Sequence, residues 1–161
     1  MKKNILFIAL VMFSSQNMLR AQDREKVISL PEIKITSIAL AAPKVADAFR
    51  KAFPDAENLS WYKYDREYLA KFFEKDMDHN ALFKRNGYMK YDISYGYEHN
   101  LPEDTKALVS RNYDDYKIIR TINIKTGGRN IWVVKLEGLK KYITVRIEDQ
   151  EIDEVESFIK A

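Results

Sequence analysis

The sequence predicts an α+β fold made of two tandem repeats, each with a helix packed on one face of a four-stranded antiparallel sheet. A short amphipathic helix pattern followed by strand patterns occurs twice, in residues 43–100 and again in residues 101–161. Asn86-Gly87 also separates two strand-like runs, and Asn-Gly is the strongest short-range signal of a β-hairpin. About 140 residues behind an N-terminal segment suit one compact domain of this kind.

Residues 1–21 have the layout of a secretory signal peptide. Lys2 and Lys3 form a basic start, residues 5–13 form an apolar run, and Ala21 offers a cleavage site. The apolar run is too short for a membrane span, which needs about 20 residues. We therefore expect cleavage after Ala21, a periplasmic or secreted protein, and no stable membrane insertion after cleavage. A buried N-terminal helix is the alternative.

Cleavage would remove the excess of positive charge. The full chain has 27 basic and 24 acidic residues, a net charge of +3, and residues 1–21 contain three of the bases and no acid. The remaining chain is neutral overall, which argues against nucleic acid or anionic lipid as a partner. The sequence has no cysteine, which excludes disulfides, thiolate nucleophiles and cysteine metal sites.

Residues 22–42 are predicted to be an N-terminal leader that lies against the domain, and the first repeat follows them. Pro43 suits the first turn of a helix, and Pro54 ends that helix. Between them, apolar residues recur at helical spacing and make one stripe. Residues 76–79 are expected to form a polar loop between strands. The stripe consists of Val45, Ala48, Phe49, Ala52 and Phe53, and the predicted strands are 59–64, 68–73, 80–85 and 88–95.

The second repeat has the same order of elements. Pro102 opens its helix, and acids follow at once, which suits the positive end of the helix dipole. Residues 116–124 alternate between apolar and polar side chains, which predicts a strand with two distinct faces. Strict alternation places Tyr116, Ile118, Ile122 and Ile124 on one face, and Lys117, Thr121 and Asn123 on the other. The remaining strands are predicted at 131–136, 142–147 and 152–155.

The two repeats align along the sequence. An offset of 60 residues places Phe49 on Val109, and an offset of 64 residues places Ala70 on Val134. We interpret this as internal duplication. The alternative is that any two units of a helix and a strand meander share such a pattern.

A known family has segments similar to several of these. Residues 45–61 read VADAFRKAFPDAENLSW, and they are followed by Tyr68-Leu69-Ala70-Lys71-Phe72, by Asn86-Gly87 and, in the second half, by Leu101-Pro102 and Tyr113. This order resembles the PepSY-like, beta-lactamase-inhibitor-like (BLIP-like) proteins that Bacteroidetes export, over about residues 43–148. The resemblance implies two tandem repeats, each a helix on a sheet, and no catalytic residues. The inhibitor name is a fold analogy, because a fold does not transfer a function.

The aromatic residues of the first repeat provide the candidate binding surface. One face of the strands must pack on the helix, and the other face should then be open and mostly polar. Several aromatic residues break that rule, and exposed apolar patches rich in tyrosine mark interfaces. We therefore expect a site for an envelope or extracellular protein or peptide. Cover by the leader and ordinary cross-strand packing are the alternatives. The predicted site consists of Tyr62, Tyr64, Leu69, Phe73, Tyr91 and Tyr95.

The two histidines are the candidates for other chemistry. His79 follows Asp76 and Asp78, and His99 follows Glu98, but a metal site would require these side chains to converge. We expect both to be polar loop residues. No nucleophile elbow, phosphate loop or metalloprotease motif occurs. The sequence therefore predicts a protein that is not an enzyme and has no cofactor, and a small-molecule or metal-binding sensor is the alternative function.

Overall fold

The computed structural model describes residues 35–160 of the chain, so the predicted signal peptide and its cleavage site lie outside the described residues. In the described part, nine strands form one antiparallel sheet in which each strand pairs with the next along the chain. Two helices complete the predicted α+β fold, which is confirmed. None of the helices from residue 35 onward is long and apolar enough to cross a membrane. The elements are β1 (Ile35–Ile38), α1 (Pro43–Ala52), β2 (Glu57–Tyr64), β3 (Glu67–Glu74), β4 (Met77–Lys84), β5 (Met89–Gly96), a 3₁₀ helix (Glu98–Asn100), α2 (Glu103–Asn112), β6 (Lys117–Thr126), β7 (Arg129–Glu137), β8 (Lys141–Glu148) and β9 (Glu151–Ile159).

The first unit is held together by aromatic packing between α1 and the sheet. Phe49 is buried, and its ring lies 5.3 Å from the ring of Trp61 and 5.0 Å from that of Phe72, both edge to face. Four residues of the predicted stripe therefore face the sheet, as its spacing requires, and Ala52 is exposed at the end of the helix. The core of this unit consists of Val45, Phe49, Phe53, Trp61, Ala70, Phe72, Ala81 and Phe83.

The second unit has an aliphatic core beneath α2. Val109 is 1% exposed and packs with Leu101 on strands β6 to β8. The helix carries Thr105 as its other buried residue, so its apolar stripe is weaker than that of α1. The core of this unit consists of Met77, Leu101, Val109, Ile118, Trp132, Val134, Leu136, Ile143, Val145 and Ile147.

The two helices end in the same way. The backbone N–H of Phe53 donates to the carbonyl of Phe49, and sixty residues later the N–H of Tyr113 donates to the carbonyl of Val109. Each helix has ten residues and is followed by an antiparallel meander. The predicted arrangement of two helix-plus-sheet units is therefore confirmed.

The prediction for the faces of β6 is wrong in part. Ile118 pairs with Leu136, but Arg120 pairs with Lys135, so one extra residue is inserted at Ile119. A bulge of this kind reverses which face the following residues occupy. Thr121 and Asn123 therefore share the helix side of the sheet with Ile118. On the opposite side lie Ile122 and Ile124, through their pairing with Tyr95 and Ile93.

The predicted polar loop at residues 76–79 is also wrong. Strand β4 begins at Met77, which pairs with Glu74, so only Lys75 and Asp76 form the turn. Both turn residues have positive φ angles, 52° and 58°, which is the backbone form that lets two residues close a hairpin. The sequence has no glycine there to reveal such a turn. His79 consequently lies within a strand.

The leader adds a strand to the edge of the sheet. Ile35–Ile38 pairs with β2, where Ile38 lies opposite Trp61, so the described part of the leader extends the sheet sideways. The first unit therefore has five strands instead of the four expected. Strands β5 and β6 join the two units into one continuous sheet. Residues 22–34 of the leader lie outside the described residues.

Candidate functional site

The open face, which we define as the side of the sheet opposite α1 and α2, contains all six residues of the predicted binding site. They lie on strands β2, β3 and β5, and each is half-buried. Their faces follow from the register, since Trp61, Ala70 and Phe72 alternate with them and pack under α1. The six residues are Tyr62 and Tyr64 on β2, Leu69 and Phe73 on β3, and Tyr91 and Tyr95 on β5.

The register adds further apolar residues to the open face. Leu82 of β4 pairs with Leu69 on one side and with Tyr91 on the other, so it connects the predicted residues of β3 and β5. Beyond β5, the bulge in β6 brings isoleucines to this face. We call the following set the apolar band: Tyr62, Leu69, Phe73, Leu82, Tyr91, Ile93, Tyr95, Ile122, Ile124 and Val133.

Sequence reasoning missed five members of the band, of which Ile93 lies between the predicted Tyr91 and Tyr95 on β5. Leu82 lies in the apolar run Ala81-Leu82-Phe83, whose faces cannot be assigned without a partner strand. Strict alternation puts Ile122 and Ile124 on the other face, because the bulge carries no local signal. Val133 lies in a continuous apolar run of β7, which has no alternation to assign its face.

A row of paired charges borders the apolar band on β7 to β9. The guanidinium of Arg129 donates two hydrogen bonds to Glu148, at 2.6 and 2.7 Å. Arg146 donates to Asp153 at 2.9 Å and lies 3.8 Å from Glu148. The bonds from Arg129 hold the pKa of Glu148 below its ordinary value. This ion-pair row gives the open face a polar border.

The helix side of the sheet contains a polar cleft of about 490 Å³ at the junction of the two units. It opens between the C-terminal end of α1 and the 3₁₀ helix, and its lining includes His79, Ser94, Asn123 and Trp132. The register places these four residues in one row across β4 to β7, because His79 pairs with Ser94, Ser94 with Asn123, and Asn123 with Trp132. We call this feature the junction cleft.

A buried hydrogen bond between His79 and Asp92 lies at the first-unit end of the junction cleft. Nδ1 of His79 lies 3.0 Å from Oδ1 and 3.1 Å from Oδ2 of Asp92. A carboxylate only accepts, so this ring nitrogen carries the hydrogen. Phe72 stacks on the imidazole at 4.8 Å between ring centres. The expectation that His79 is a polar loop residue is wrong, because the side chain is 7% exposed and fixed on both sides.

His99 lies in the 3₁₀ helix, is exposed, and also lines the junction cleft. The structure thus brings both histidines to one feature. Across residues 35–160, no group of three or more histidine, cysteine, aspartate or glutamate side chains is placed to hold a metal ion.

Comparison with known proteins finds matches among solved structures. No family model matches the sequence, and no curated protein matches it. A solved BLIP-like protein from Bacteroides fragilis matches with a TM-score of 0.56 and 15% identity, over 73% of this chain and 89% of that one. A DUF2874 family protein from Bacteroides ovatus matches with a TM-score of 0.54 and 15% identity, over 74% of this chain and 88% of that one.

A candidate periplasmic protein from Bacteroides eggerthii also matches, with a TM-score of 0.53 and 13% identity, over 74% of this chain and 89% of that one. At these identities the likeness shows the fold. The resemblance that the residues predicted is confirmed at that level: this chain has the two-unit α+β fold of the BLIP-like and DUF2874 proteins of Bacteroides.

Proposed function

We propose that this protein is a non-enzymatic, exported binding module that captures a partner protein through the apolar band of the open face. The observation that carries the proposal is the composition of that face. A sheet covered by helices on one side normally presents polar residues on the other side. Here ten apolar or aromatic residues lie on the open face across the six strands β2 to β7, although Asp78 separates Phe73 from Tyr95 and Lys71 separates it from Leu69.

The anatomy of the open face suits a protein surface better than a small ligand. Small molecules bind in concave sites that enclose most of their surface, whereas the apolar band runs across a broad sheet face. Tyrosine is enriched at protein interfaces, because its ring buries apolar area while its hydroxyl keeps a polar contact. The ion-pair row then corresponds to the polar rim of an interface.

The charges at the border are already paired, and this determines what kind of partner fits. Arg129 and Arg146 are held by acids on neighbouring strands, so they offer little free charge to a partner. We therefore propose a partner that presents an apolar surface, and binding that depends weakly on salt. Inhibition of a partner enzyme is one form that such capture can take.

Two observations support export of the protein from the cytoplasm. Residues 1–21 have the layout of a signal peptide. A protein of the same fold is described as a candidate periplasmic protein. We therefore propose that the partner is an envelope or extracellular protein.

The test compares three forms of the full chain, each with a C-terminal tag and its own N-terminal segment. They are the wild type, the double variant Tyr62→Ser/Phe73→Ser, and Leu139→Ser as a matched control. Leu139 is 90% exposed and lies in the turn between β7 and β8, away from the apolar band. Affinity capture from envelope and supernatant extracts is followed by calorimetry with the purified captured protein.

We expect the wild type and Leu139→Ser to bind the same protein, and the folded double variant to lose it. Circular dichroism checks folding, and the single variant Tyr62→Ser replaces the double variant if the latter unfolds. Equal binding by wild type and folded variant would contradict the proposal. So would light scattering that shows a dimer of this chain dissociated by the same substitutions, because the band would then be covered by a second copy.

A further inference from the structure

Two buried polar atoms lack a hydrogen-bond partner, and both belong to residues that line the junction cleft. They are Oε1 of Glu74 and Nε1 of Trp132, in side chains that are 6% and 8% exposed. Buried polar atoms in folded proteins are nearly always hydrogen-bonded. Among the side chains of residues 35–160 these are the two buried polar atoms without a partner, and their occurrence at one feature calls for a common explanation.

The junction cleft is polar where each unit is otherwise apolar. The row of paired residues that crosses it begins at Phe72 and ends at Ile147, which both belong to the unit cores. Between these ends lie His79, Ser94 and Asn123. Apolar side chains at these positions would connect the two cores without the free-energy cost of burying polar groups. His79 and Asn123 are hydrogen-bonded within the fold, to Asp92 and Asn130, so the atoms left for a ligand are those of Glu74 and Trp132.

The chemistry of the unpartnered atoms defines what would satisfy them. An ionised glutamate oxygen only accepts, and a buried carboxylate is best compensated by a cationic donor. Lys75 and Asp76 line the same end of the cleft, so two acidic side chains and one basic side chain lie there. An indole N–H only donates, so Trp132 requires an acceptor. Lys125 lines the cleft near Trp132, on the neighbouring strand, and also favours an acceptor or an anion.

The spacing of the strands sets the length of the ligand. Glu74 on β3 and Trp132 on β7 are four strand spacings apart, which is roughly 19 Å between their backbones. Both side chains border one cavity of about 490 Å³, so a ligand that contacts both must be extended. After a hydrogen bond of about 3 Å at each end, the ligand has to span roughly 13 Å, which is the length of about four extended amino-acid residues.

We propose that the junction cleft binds a short peptide with a free N terminus. The ammonium group pairs with Glu74 and Asp76, and a carbonyl or carboxylate oxygen about three residues later accepts from Nε1 of Trp132. Phe53 and Met77 line the cleft and provide apolar contact for the peptide side chains. This site lies on the opposite side of the sheet from the apolar band, so the inference stands independently of the protein partner proposed above.

The test uses the full chain and isothermal calorimetry with tetraalanine as the probe, beside its N-acetylated form and maltotriose. The protein variants are Glu74→Gln, Trp132→Phe and the matched control Glu57→Gln. Glu57 is an exposed carboxylate on β2 that does not line the cleft. Circular dichroism checks that each variant is folded.

We expect saturable binding of tetraalanine to the wild type and to Glu57→Gln. Acetylation of the probe and Glu74→Gln should each weaken binding by about tenfold or more, since each removes the charged pair. Trp132→Phe, which keeps an aromatic ring and loses the N–H, should weaken binding by about fivefold. If Trp132→Phe does not fold, acetylation and Glu74→Gln decide the matter.

Three results would overturn the inference. The first is no saturable heat with tetraalanine up to about 10 mM, which is weaker than any useful affinity and would mean that water alone fills the cleft. The second is binding that is unchanged by acetylation and by Glu74→Gln. The third is binding of maltotriose in preference to tetraalanine, which would assign the cleft to a polyhydroxylated ligand.

Discussion

Phe49 should contribute more to the stability of the fold than any residue of α2. Its ring contacts four aromatic rings of the first unit, with centre distances from 5.0 Å to 6.3 Å, and the side chain is 3% exposed. Val109 occupies the matching position sixty residues later and is 1% exposed. The two units therefore offer a matched pair of substitutions, Phe49→Ala and Val109→Ala.

The expected magnitudes follow from the groups removed. Replacing a core phenylalanine by alanine lowers the free energy of unfolding by about 3–5 kcal/mol. Because Phe49 packs against four aromatic rings, we expect a loss of about 4 kcal/mol for Phe49→Ala. Val109→Ala removes two methyl groups, which costs about 2 kcal/mol with a small cavity term. We therefore expect a difference of about 2 kcal/mol in the free energy of unfolding between the two variants. Leu139→Ala, at an exposed site, should change the free energy of unfolding by under about 0.5 kcal/mol.

Urea denaturation followed by far-ultraviolet circular dichroism measures these differences. Six register pairs between β5 and β6 join the two units, so we expect one cooperative transition in every variant. If Val109→Ala lowered the free energy of unfolding as much as Phe49→Ala or more, the result would refute the expectation that Phe49 of α1 stabilises the fold more than α2 does. Two separate transitions in Phe49→Ala would refute the continuity of the sheet as a source of cooperativity.

Two further predictions concern charged groups. Asp92→Ala leaves the buried ring of His79 without its partner and should lower the free energy of unfolding by about 3 kcal/mol. Asp92→Asn keeps an acceptor for the ring and should lower it by less. Equal losses for the two variants would contradict this. The hydrogen bonds from Arg129 lower the pKa of Glu148 from 4.5, so their stabilisation is present above about pH 4.5 and is lost as the pH falls through the lowered pKa. Arg129→Ala should therefore be less stable than the wild type near neutral pH and equally stable in strong acid, and a constant difference across a pH series of urea midpoints would exclude this linkage.

Local patterns were sufficient to predict the elements of the fold. The i, i+3, i+4 spacing between Pro43 and Pro54 predicts α1, and Asn86-Gly87 predicts the turn before β5, because each depends on neighbouring residues. The side-chain alternation of β2 and β3 correctly separates Trp61 from Tyr62. These predictions succeed because periodicity is a property of one segment.

Two errors came from geometry that a single segment does not encode. The bulge at Ile119 depends on how β6 pairs with β7, and it exchanged the faces of every residue after it. The Lys75-Asp76 turn adopts positive φ angles without glycine or asparagine, so His79 was assigned to a loop. In both cases pairing with a neighbouring strand overrides the local preference of the residues.

The sequence by itself determined the class of the fold, the order of its elements, the neutral charge of the chain after residue 21 and six residues of the open face. The tertiary structure alone decided that five of these six belong to an apolar band reaching Val133, and that Glu74, His79 and Trp132 line one cleft. The physical reason is that periodicity fixes the direction of a side chain relative to its own strand. Which strands become neighbours, and in what register, is fixed by pairing over long distances along the chain.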